Sequence, residues 1–279
     1  APELCDGIDN DCDGTAEIAD ADGDGHNSIA CGGDDCMDND ASLLTCTLQY
    51  GGHRIDKNGD YYYVLYNDRG FGVMGTGAWY GSSDPSGGPE GLTWNEDQTQ
   101  LYYNDLSSNV FVQSEPFDSS STLLGNFQSL GVWQAGGGVV FAGTYYIGDY
   151  EHGNIYAMNV ATGETSLYAS LGSAACKPYF GNSSMAIDVD GRVFAASSCG
   201  IVAYRPGADA VQLNTYSNLV SMVAMDKNQE LFSMDYSGNI VHFDKNSGAT
   251  LGSVTVDYPP STTWTMAIDE NSDFVVNYW

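Results

Sequence analysis

From about residue 52 onward, short runs of aromatic and β-branched residues alternate with turns rich in Gly, Asn, Asp and Ser, and no long apolar stripe of 3.6-residue period occurs. This alternation predicts β-strands joined by tight turns. One hairpin pattern recurs, in which an apolar residue precedes Asp, a short polar turn and a second apolar run. Its clear copies begin at Ile55, Ile187, Met225 and Ile268, and degenerate copies begin at Trp94 and Trp133.

The spacing of this hairpin predicts the fold class. The steps between aligned turns are 39, 40, 53, 38 and 43 residues, taking as equivalent Asp56, Asn95, Ala135, Asp188, Asp226 and Asp269. A step near 40 is typical of a four-stranded propeller blade. We therefore expect an all-β chain with a six-bladed β-propeller over residues 47–279. A β-sandwich pair or a β-helix is the alternative. Asp and Asn at these positions need no functional role, because their side chains cap turns.

Closure of the propeller is predicted from the two ends of the repeat region. The last unit stops at Trp279 after only two strands of sequence, and Leu43–Tyr50 precedes the first unit. A strand supplied by Leu43–Tyr50 would complete the last sheet and remove an open edge.

For three segments between the repeats, the sequence predicts a loop, an insertion and a tight turn. Phe71–Pro89 is predicted to form a loop on one propeller face, where Trp79 and Tyr80 either bind a ligand or belong to the core. The 53-residue step predicts an insertion around Leu171–Gly181. Gly136–Gly138 is interpreted as a tight turn, and no phosphate-binding loop is recognised.

Residues 1–46 differ from the rest of the chain in composition. They hold 13 of the 37 acidic residues, no Lys or Arg and five of the seven cysteines. Apolar side chains are too sparse there for a hydrophobic core, so disulfides and bound cations must order the segment. We therefore expect an Asp- and Cys-rich module over residues 1–46, separate from the propeller.

Two overlapping loops in this module have the ligand spacing of calcium sites. Positions 1, 3, 5, 7 (through its carbonyl) and 12 of the first loop are Asp9, Asp11, Asp13, Thr15 and Asp20. The second loop uses Asp20, Asp22, Asp24 and the His26 carbonyl, with a closing carboxylate from Asp34, Asp35 or Asp38. Ligands that are all oxygen favour a hard cation, so we expect about two Ca²⁺ ions. A solvated Asp-Gly linker is the alternative.

The cysteines predict an oxidising compartment. Cys5–Cys12 and Cys31–Cys36 would close tight loops, and Cys176 and Cys199 would bridge neighbouring strands. Cys46 remains; it is either free or pairs with another chain, which suggests self-assembly. The spacings are not those of zinc sites. Because the chain opens at Ala1, we expect a processed or trimmed secreted protein.

The Asp-rich segments resemble known metal-binding repeats. Cys5–Gly14, Asp20–His26 and Cys31–Asp40 are similar to the metal-binding repeat of MopE-type surface proteins and secreted myxobacterial proteins, and to the thrombospondin type 3 calcium repeat. This resemblance covers residues 3–40 and implies calcium binding at the cell surface or outside it. Copper binding is a lesser alternative, because His26 is the one histidine in the module.

The repeat region has a resemblance of its own. Gly91–Asp105 resembles the blades of NHL and regucalcin or gluconolactonase-like propellers. Lactonases of this type hold a metal on the propeller axis with Glu, Asn and Asp ligands. Glu90 stands near a comparable position, and the other ligands have no recognisable counterpart, so the catalytic residues are not carried over.

The net charge of the chain and the absence of catalytic motifs restrict the classes of function that it can have. A net charge of −29, from 37 acidic and 8 basic residues, excludes a nucleic-acid partner and disfavours anionic membranes. No nucleophile elbow is present, and His152 is interpreted as a surface residue. We therefore expect a secreted or cell-surface, non-enzymatic, calcium-binding propeller that acts in adhesion, ligand binding or assembly, with an extracellular protein or glycan as partner and no membrane insertion. A lactonase-like hydrolase is the rival.

Overall fold

The computed structural model describes residues 20, 23, 25, 54–55, 61–65, 70–73, 78–81, 89–95, 99–105, 107–114, 121–133, 135–149, 151–170, 184–205, 211–213, 220–235, 237–256, 264–268, 272 and 274–278. Within these ranges the regular structure is β-strand, apart from one 3₁₀ helix at Gln128–Leu130. The all-β prediction is therefore confirmed. None of the described residues belongs to a helix long and apolar enough to span a bilayer.

The strands form antiparallel sheets in which chain neighbours pair with each other. Sheets 1 and 2 contain β1 (Arg54–Ile55), β2 (Tyr61–Leu65), β3 (Gly70–Val73) and β4 (Ala78–Gly81), then β5 (Pro89–Trp94), β6 (Gln100–Asp105), β7 (Asn109–Ser114) and β8 (Thr122–Asn126). Sheets 3 and 4 contain β9 (Ala135–Phe141), β10 (Thr144–Asp149), β11 (Asn154–Asn159) and β12 (Thr165–Ser170), then β13 (Met185–Ile187), β14 (Val193–Ser197), β15 (Gly200–Tyr204) and β16 (Val211–Gln212). Sheet 5 contains β17 (Val220–Met225), β18 (Leu231–Asp235), β19 (Asn239–Phe243) and β20 (Thr250–Thr255), and sheet 6 contains β21 (Trp264–Ile268) and β22 (Phe274–Tyr278).

The first strands of successive sheets lie side by side and form a ring. Contacts run from β5 to β9, β9 to β13, β13 to β17 and β17 to β21, while β2 contacts β5 and β21 contacts β1. Clusters of buried apolar side chains fill the spaces between sheets 2 and 3, 3 and 4, 4 and 5, and 5 and 6. The last sheet has two described strands, as predicted, and Leu43–Tyr50 lies outside the described residues.

The Asp turns of the recurring hairpin are built by side-chain caps. The Asp188 carboxylate accepts hydrogen bonds from the backbone N–H groups of Asp190 and Arg192 at 3.1 and 2.8 Å. Asp226 accepts the corresponding bonds from Asn228 and Glu230, both at 2.9 Å. These caps satisfy donors that would otherwise be unpaired at the turn, which confirms the turn interpretation at both positions. Asp56 and Asp269 lie outside the described residues.

The prediction for the third repeat is wrong. Ala135 opens strand β9, and the turn that matches the Asp turns is Ala142–Gly143, with φ values of 47° and 70°. Turn equivalents at Asn95, Ala142 and Asp188 are 47 and 46 residues apart, so the step of 53 residues disappears. The predicted insertion at Leu171–Gly181 lies outside the described residues, in the connection between β12 and β13.

Gly136–Gly138 lies inside β9 and does not form a turn, which corrects the second prediction for this repeat. A β-carbon at Gly138 would overlap the ring of Tyr145. The Tyr145 hydroxyl donates to Asn104 Oδ1 at 2.8 Å, and Asn104 Nδ2 donates to the Gly136 carbonyl at 3.2 Å. The glycines therefore let a tyrosine of sheet 3 reach across its own first strand to sheet 2.

The predicted loop at Phe71–Pro89 is also wrong. Phe71 lies in β3, Trp79 and Tyr80 lie in β4, and Pro89 begins β5. Phe71 pairs with Tyr80, and Gly72 pairs with Trp79. Apolar and aromatic residues are good strand formers, and that preference prevails here over the neighbouring glycines.

Candidate functional site

Within the predicted calcium module, the structure describes three residues, Asp20, Gly23 and Gly25, all of which belong to the second loop. The carboxylate oxygens of Asp20 accept hydrogen bonds from the backbone N–H groups of Gly23 and Gly25 at 2.8 and 3.1 Å. Gly23 and Gly25 have φ values of 78° and 96°, which glycine adopts without strain. The chain therefore turns back around the Asp20 carboxylate, with glycine at position 6 of the predicted loop.

The other predicted ligands and most of the predicted disulfide cysteines lie outside the described residues. These are Asp9, Asp11, Asp13, Thr15, Asp22, Asp24, His26, Asp34, Asp35 and Asp38, with Cys5, Cys12, Cys31, Cys36, Cys46 and Cys176. Among the described residues, no three His, Cys, Asp or Glu side chains come together in a group that could hold a metal ion. Cys199 is described: it is partly buried and packs against the apolar cluster between sheets 3 and 4.

An axial cavity of about 190 Å³ lies inside the ring of first strands. Its described lining is shared by five sheets and consists of Thr93, Val139, Met185, Ala186, Ile187, Val223, Ala224, Met225, Met266, Ala267 and Ile268. The Thr93 hydroxyl is the one side-chain oxygen of this lining, and it accepts a hydrogen bond from the Val140 N–H at 3.3 Å.

The described lining of the axial cavity is chemically unlike a site for a hard metal ion. Calcium takes six to eight oxygen ligands, whereas the described lining offers one hydroxyl and the thioether sulfurs of three methionines. Glu90 lies in β5, where it pairs with Asn104. Sequence reasoning missed this cavity, although its residues belong to the first apolar run of each repeat. Recognising it requires knowing that these runs face a common axis.

A lateral groove of about 660 Å³ lies on one face of sheet 3. Its lining residues come from β10, β11, the following turn and β12, and are Thr144, Tyr146, Ala157, Asn159, Glu164, Thr165, Ser166 and Tyr168. Toward the axis the same face is covered by sheet 4, because Tyr146 and Ala157 belong to the buried cluster between the two sheets. The groove is therefore the outer, open part of the face of sheet 3 whose inner part packs against sheet 4.

Two tyrosines form the floor of the lateral groove. The rings of Tyr146 and Tyr168 pack edge to face, with centroids 4.8 Å apart. The Tyr168 hydroxyl donates to the Gly191 carbonyl of sheet 4 at 2.7 Å. Burial, the neighbouring Tyr146 and the negative charge of Asp188 raise the pKa of Tyr168 to about 12.

The raised pKa of Tyr168 predicts a change at alkaline pH. An unfolded tyrosine titrates near pH 10, so the contribution of this group to stability is complete below about pH 10 and falls as the pH approaches 12. In a spectrophotometric titration of the phenols, Tyr168→Phe should remove one late-titrating group. A difference spectrum centred near pH 10 would contradict the assignment.

His152 is exposed, as the sequence predicts, with a side-chain exposure of 57%. Its Nδ1 lies 2.7 Å from the carboxylate of Asp149, which is buried at the turn after β10. The same carboxylate accepts a hydrogen bond from the Glu151 N–H. Through these contacts His152 is a structural part of the turn that follows β10.

The comparisons with known proteins support the architecture. No protein-family model and no curated protein matches the chain. Solved structures do match: streptogramin B lyase superposes with a TM-score of 0.61 at 12% identity, covering 80% of this chain and 74% of that one. Regucalcin from Agrobacterium tumefaciens, described as a calcium-binding protein, gives a TM-score of 0.60 at 15% identity, with 81% and 79% covered. A chain of the nidogen/laminin complex gives 0.57 at 14% identity, with 77% and 82% covered.

The fold is a β-propeller. These neighbours are NHL, regucalcin-like and related propellers, and at 12–15% identity the likeness concerns the fold alone. The predicted resemblance to regucalcin-like propellers is thereby confirmed for the architecture. The axial cavity then corresponds to the propeller channel, and the lateral groove lies on one face of a single blade.

Proposed function

We propose that this protein is a secreted or cell-surface, calcium-binding propeller with six blades, which binds a ligand or partner and catalyses no reaction. Residues 1–46 form the calcium module and hold about two ions, braced by the pairs Cys5–Cys12 and Cys31–Cys36. Cys176–Cys199 braces the propeller, and Cys46 is available for assembly with a second chain. Six described sheets around a closed ring of first strands support the blade count.

The observation that carries the calcium proposal is the fold of the chain around Asp20. Hydrogen bonds from Gly23 and Gly25 hold both oxygens of this carboxylate on the inner side of a tight turn. This arrangement fits a calcium loop, in which position 1 supplies a carboxylate ligand and glycine at position 6 makes the sharp turn. The regucalcin neighbour is described as calcium-binding, which agrees with the proposal.

The chemistry of the channel supports a binding role over hydrolysis. Metal-dependent hydrolysis needs a bound ion with several oxygen or nitrogen ligands and an activated water. Apart from the Thr93 hydroxyl, the described lining of the axial cavity consists of apolar side chains and contains no charged one. A lactonase-like activity is the second candidate, since an enzyme, streptogramin B lyase, shares the fold.

Calcium titration tests the proposal. After treatment with EGTA and removal of the chelator, isothermal titration should show uptake of about two Ca²⁺ ions per chain. The triple variant Asp20→Asn/Asp22→Asn/Asp24→Asn keeps an oxygen at each position but removes three charges, so we expect at least one ion to bind about tenfold more weakly or not at all. Proteolysis within residues 1–46 should accelerate in EGTA.

Asp190→Asn is the matched control. Asp190 is an exposed carboxylate in a propeller turn, so the substitution removes surface charge without touching the module. Its calcium uptake should equal that of the unchanged protein. Absence of calcium uptake at millimolar concentration, or equal uptake by the triple variant, would overturn the calcium proposal. Calcium-dependent hydrolysis of a lactone would instead favour the second candidate.

A further inference from the structure

We infer that the lateral groove on sheet 3 binds a neutral saccharide. This inference specifies the ligand class of the proposed binding role and rests on that role, but it does not depend on calcium. The groove lies on the outer part of one face of sheet 3 and is distinct from the axial cavity. Its volume of about 660 Å³ is in the range of small-ligand pockets.

The floor of the groove provides a rigid aromatic surface. Tyr168 is fixed at both ends: its ring packs against Tyr146, and its hydroxyl is bound to the Gly191 carbonyl. Ala157 lies between them on the neighbouring strand, opposite Tyr146 and Ser166 in the strand register. Tyr146 and Ala157 are buried, so the partly exposed ring of Tyr168 is the surface against which the flat C–H face of a sugar ring packs.

The rim of the groove provides both donors and acceptors of hydrogen bonds, as the hydroxyl groups of a sugar require. Thr144 and Ser166 carry hydroxyls, which both donate and accept, while Asn159 carries an amide and Glu164 a carboxylate. Asn159, Glu164 and Ser166 are exposed to solvent. Because each sugar hydroxyl also donates and accepts, this mixture of groups can satisfy several neighbouring hydroxyls at once.

Charge selects a neutral ligand. The described lining contains one acidic side chain and no basic one. The whole chain carries a net charge of −29, so an acidic sugar would be repelled both by Glu164 and by the surrounding field. A carboxylate can instead accept hydrogen bonds from two hydroxyls of an uncharged sugar.

Saturation-transfer NMR on the full chain tests this inference. The probes are four neutral disaccharides (cellobiose, maltose, lactose and diacetylchitobiose), with digalacturonate as the acidic comparison. We expect transfer of saturation from the protein to at least one neutral disaccharide and none to digalacturonate. Transfer should persist in EGTA, because the groove is formed by sheet 3. Loss of calcium uptake with retained transfer would count only against the calcium module.

Two substitutions locate the binding. Thr144→Val/Ser166→Ala removes two rim hydroxyls and keeps the strands, and it should weaken binding about 10-fold, as expected for the loss of one or two hydrogen bonds. Ser253→Ala is the control, because Ser253 is an exposed serine on β20, the outermost strand of another sheet. It should leave binding unchanged. Absence of transfer to every neutral disaccharide, or equal binding by the double variant, would overturn the inference.

Discussion

Gly91→Ala should lower the free energy of unfolding by about 3–5 kcal/mol, one of the two largest effects that we expect. Gly91 is a buried residue of β5 at a β-bulge, with a φ of 75°. A β-carbon there would lie 2.7 Å from the Gly137 Cα and 2.7 Å from the Gly138 nitrogen. These are backbone atoms of the neighbouring sheet, so no rotation of a side chain relieves the overlap.

Gly143→Ala separates the two causes of this loss. Gly143 has a similar φ of 70°, but a β-carbon there would meet nothing within 4 Å. Its substitution should therefore cost only the conformational term, about 1–2 kcal/mol. The shift in the midpoint of urea unfolding measures both variants. Equal shifts would show that close contact between sheets 2 and 3 contributes nothing to the loss.

The turns that were predicted correctly are those whose geometry is fixed by local chemistry. Asp188 and Asp226 cap their turns with their own carboxylates, and such caps are visible in the sequence. The third turn was missed because Ala142–Gly143 carries no capping side chain. Ala142 adopts a positive φ, which alanine seldom does, so its conformation is imposed by the strands on either side.

Contacts between distant parts of the chain were not predictable in this way. The glycine run in β9 is typical of a turn when only its neighbours are considered. Its cause is Tyr145, whose ring crosses Gly138 to reach Asn104 in the preceding sheet. A sequence pattern records which residues are small, but not which distant ring occupies the space.

The lateral groove is partly predictable from the sequence. Its residues follow the two-residue spacing of one strand face, as in Thr144 and Tyr146 or Ser166 and Tyr168. Once strand positions and register are known, the sequence shows that these side chains share a face. It does not show that sheet 4 covers only the inner part of that face, because coverage depends on how two sheets pack.

Asp188→Ala should cost about 3–5 kcal/mol of unfolding free energy, the second large effect. Asp188 is fully buried, and its carboxylate accepts hydrogen bonds from the guanidinium of Arg192, with distances of 3.0 Å to Nε and 2.9 Å to Nη2. Arg192 is 5% exposed and also donates to Asn246 in the turn of the next sheet. Removing the carboxylate leaves a buried guanidinium without its charge partner, together with two uncapped backbone N–H groups.

Asp226→Ala is the matched comparison for this substitution. Asp226 occupies the equivalent turn of sheet 5 and caps the same two backbone positions, but the residue four positions later is Glu230, so no ion pair is formed with it. Its carboxylate also accepts hydrogen bonds from the Asn228 amide at 3.1 Å and the Ser272 hydroxyl at 2.8 Å. We expect its loss to cost about 1–3 kcal/mol, the value for hydrogen bonds from uncharged donors. The difference between the two variants therefore compares a turn carboxylate that is bound by a buried guanidinium with one that is bound by uncharged side chains.

Arg192→Met completes the test, because it removes the buried charge while keeping an apolar side chain of similar length beside Phe194. In the unchanged protein the guanidinium carbon lies 4.8 Å from the Phe194 ring centroid. Alone, Arg192→Met should destabilise the protein, since Asp188 then keeps only its backbone donors and Lys245 Nζ at 3.8 Å. In the double variant Asp188→Ala/Arg192→Met neither charge is left unpaired, so its loss should be smaller than the sum of the single losses. Additive losses would mean that Asp188 acts as a turn cap and that its pairing with Arg192 adds no stability.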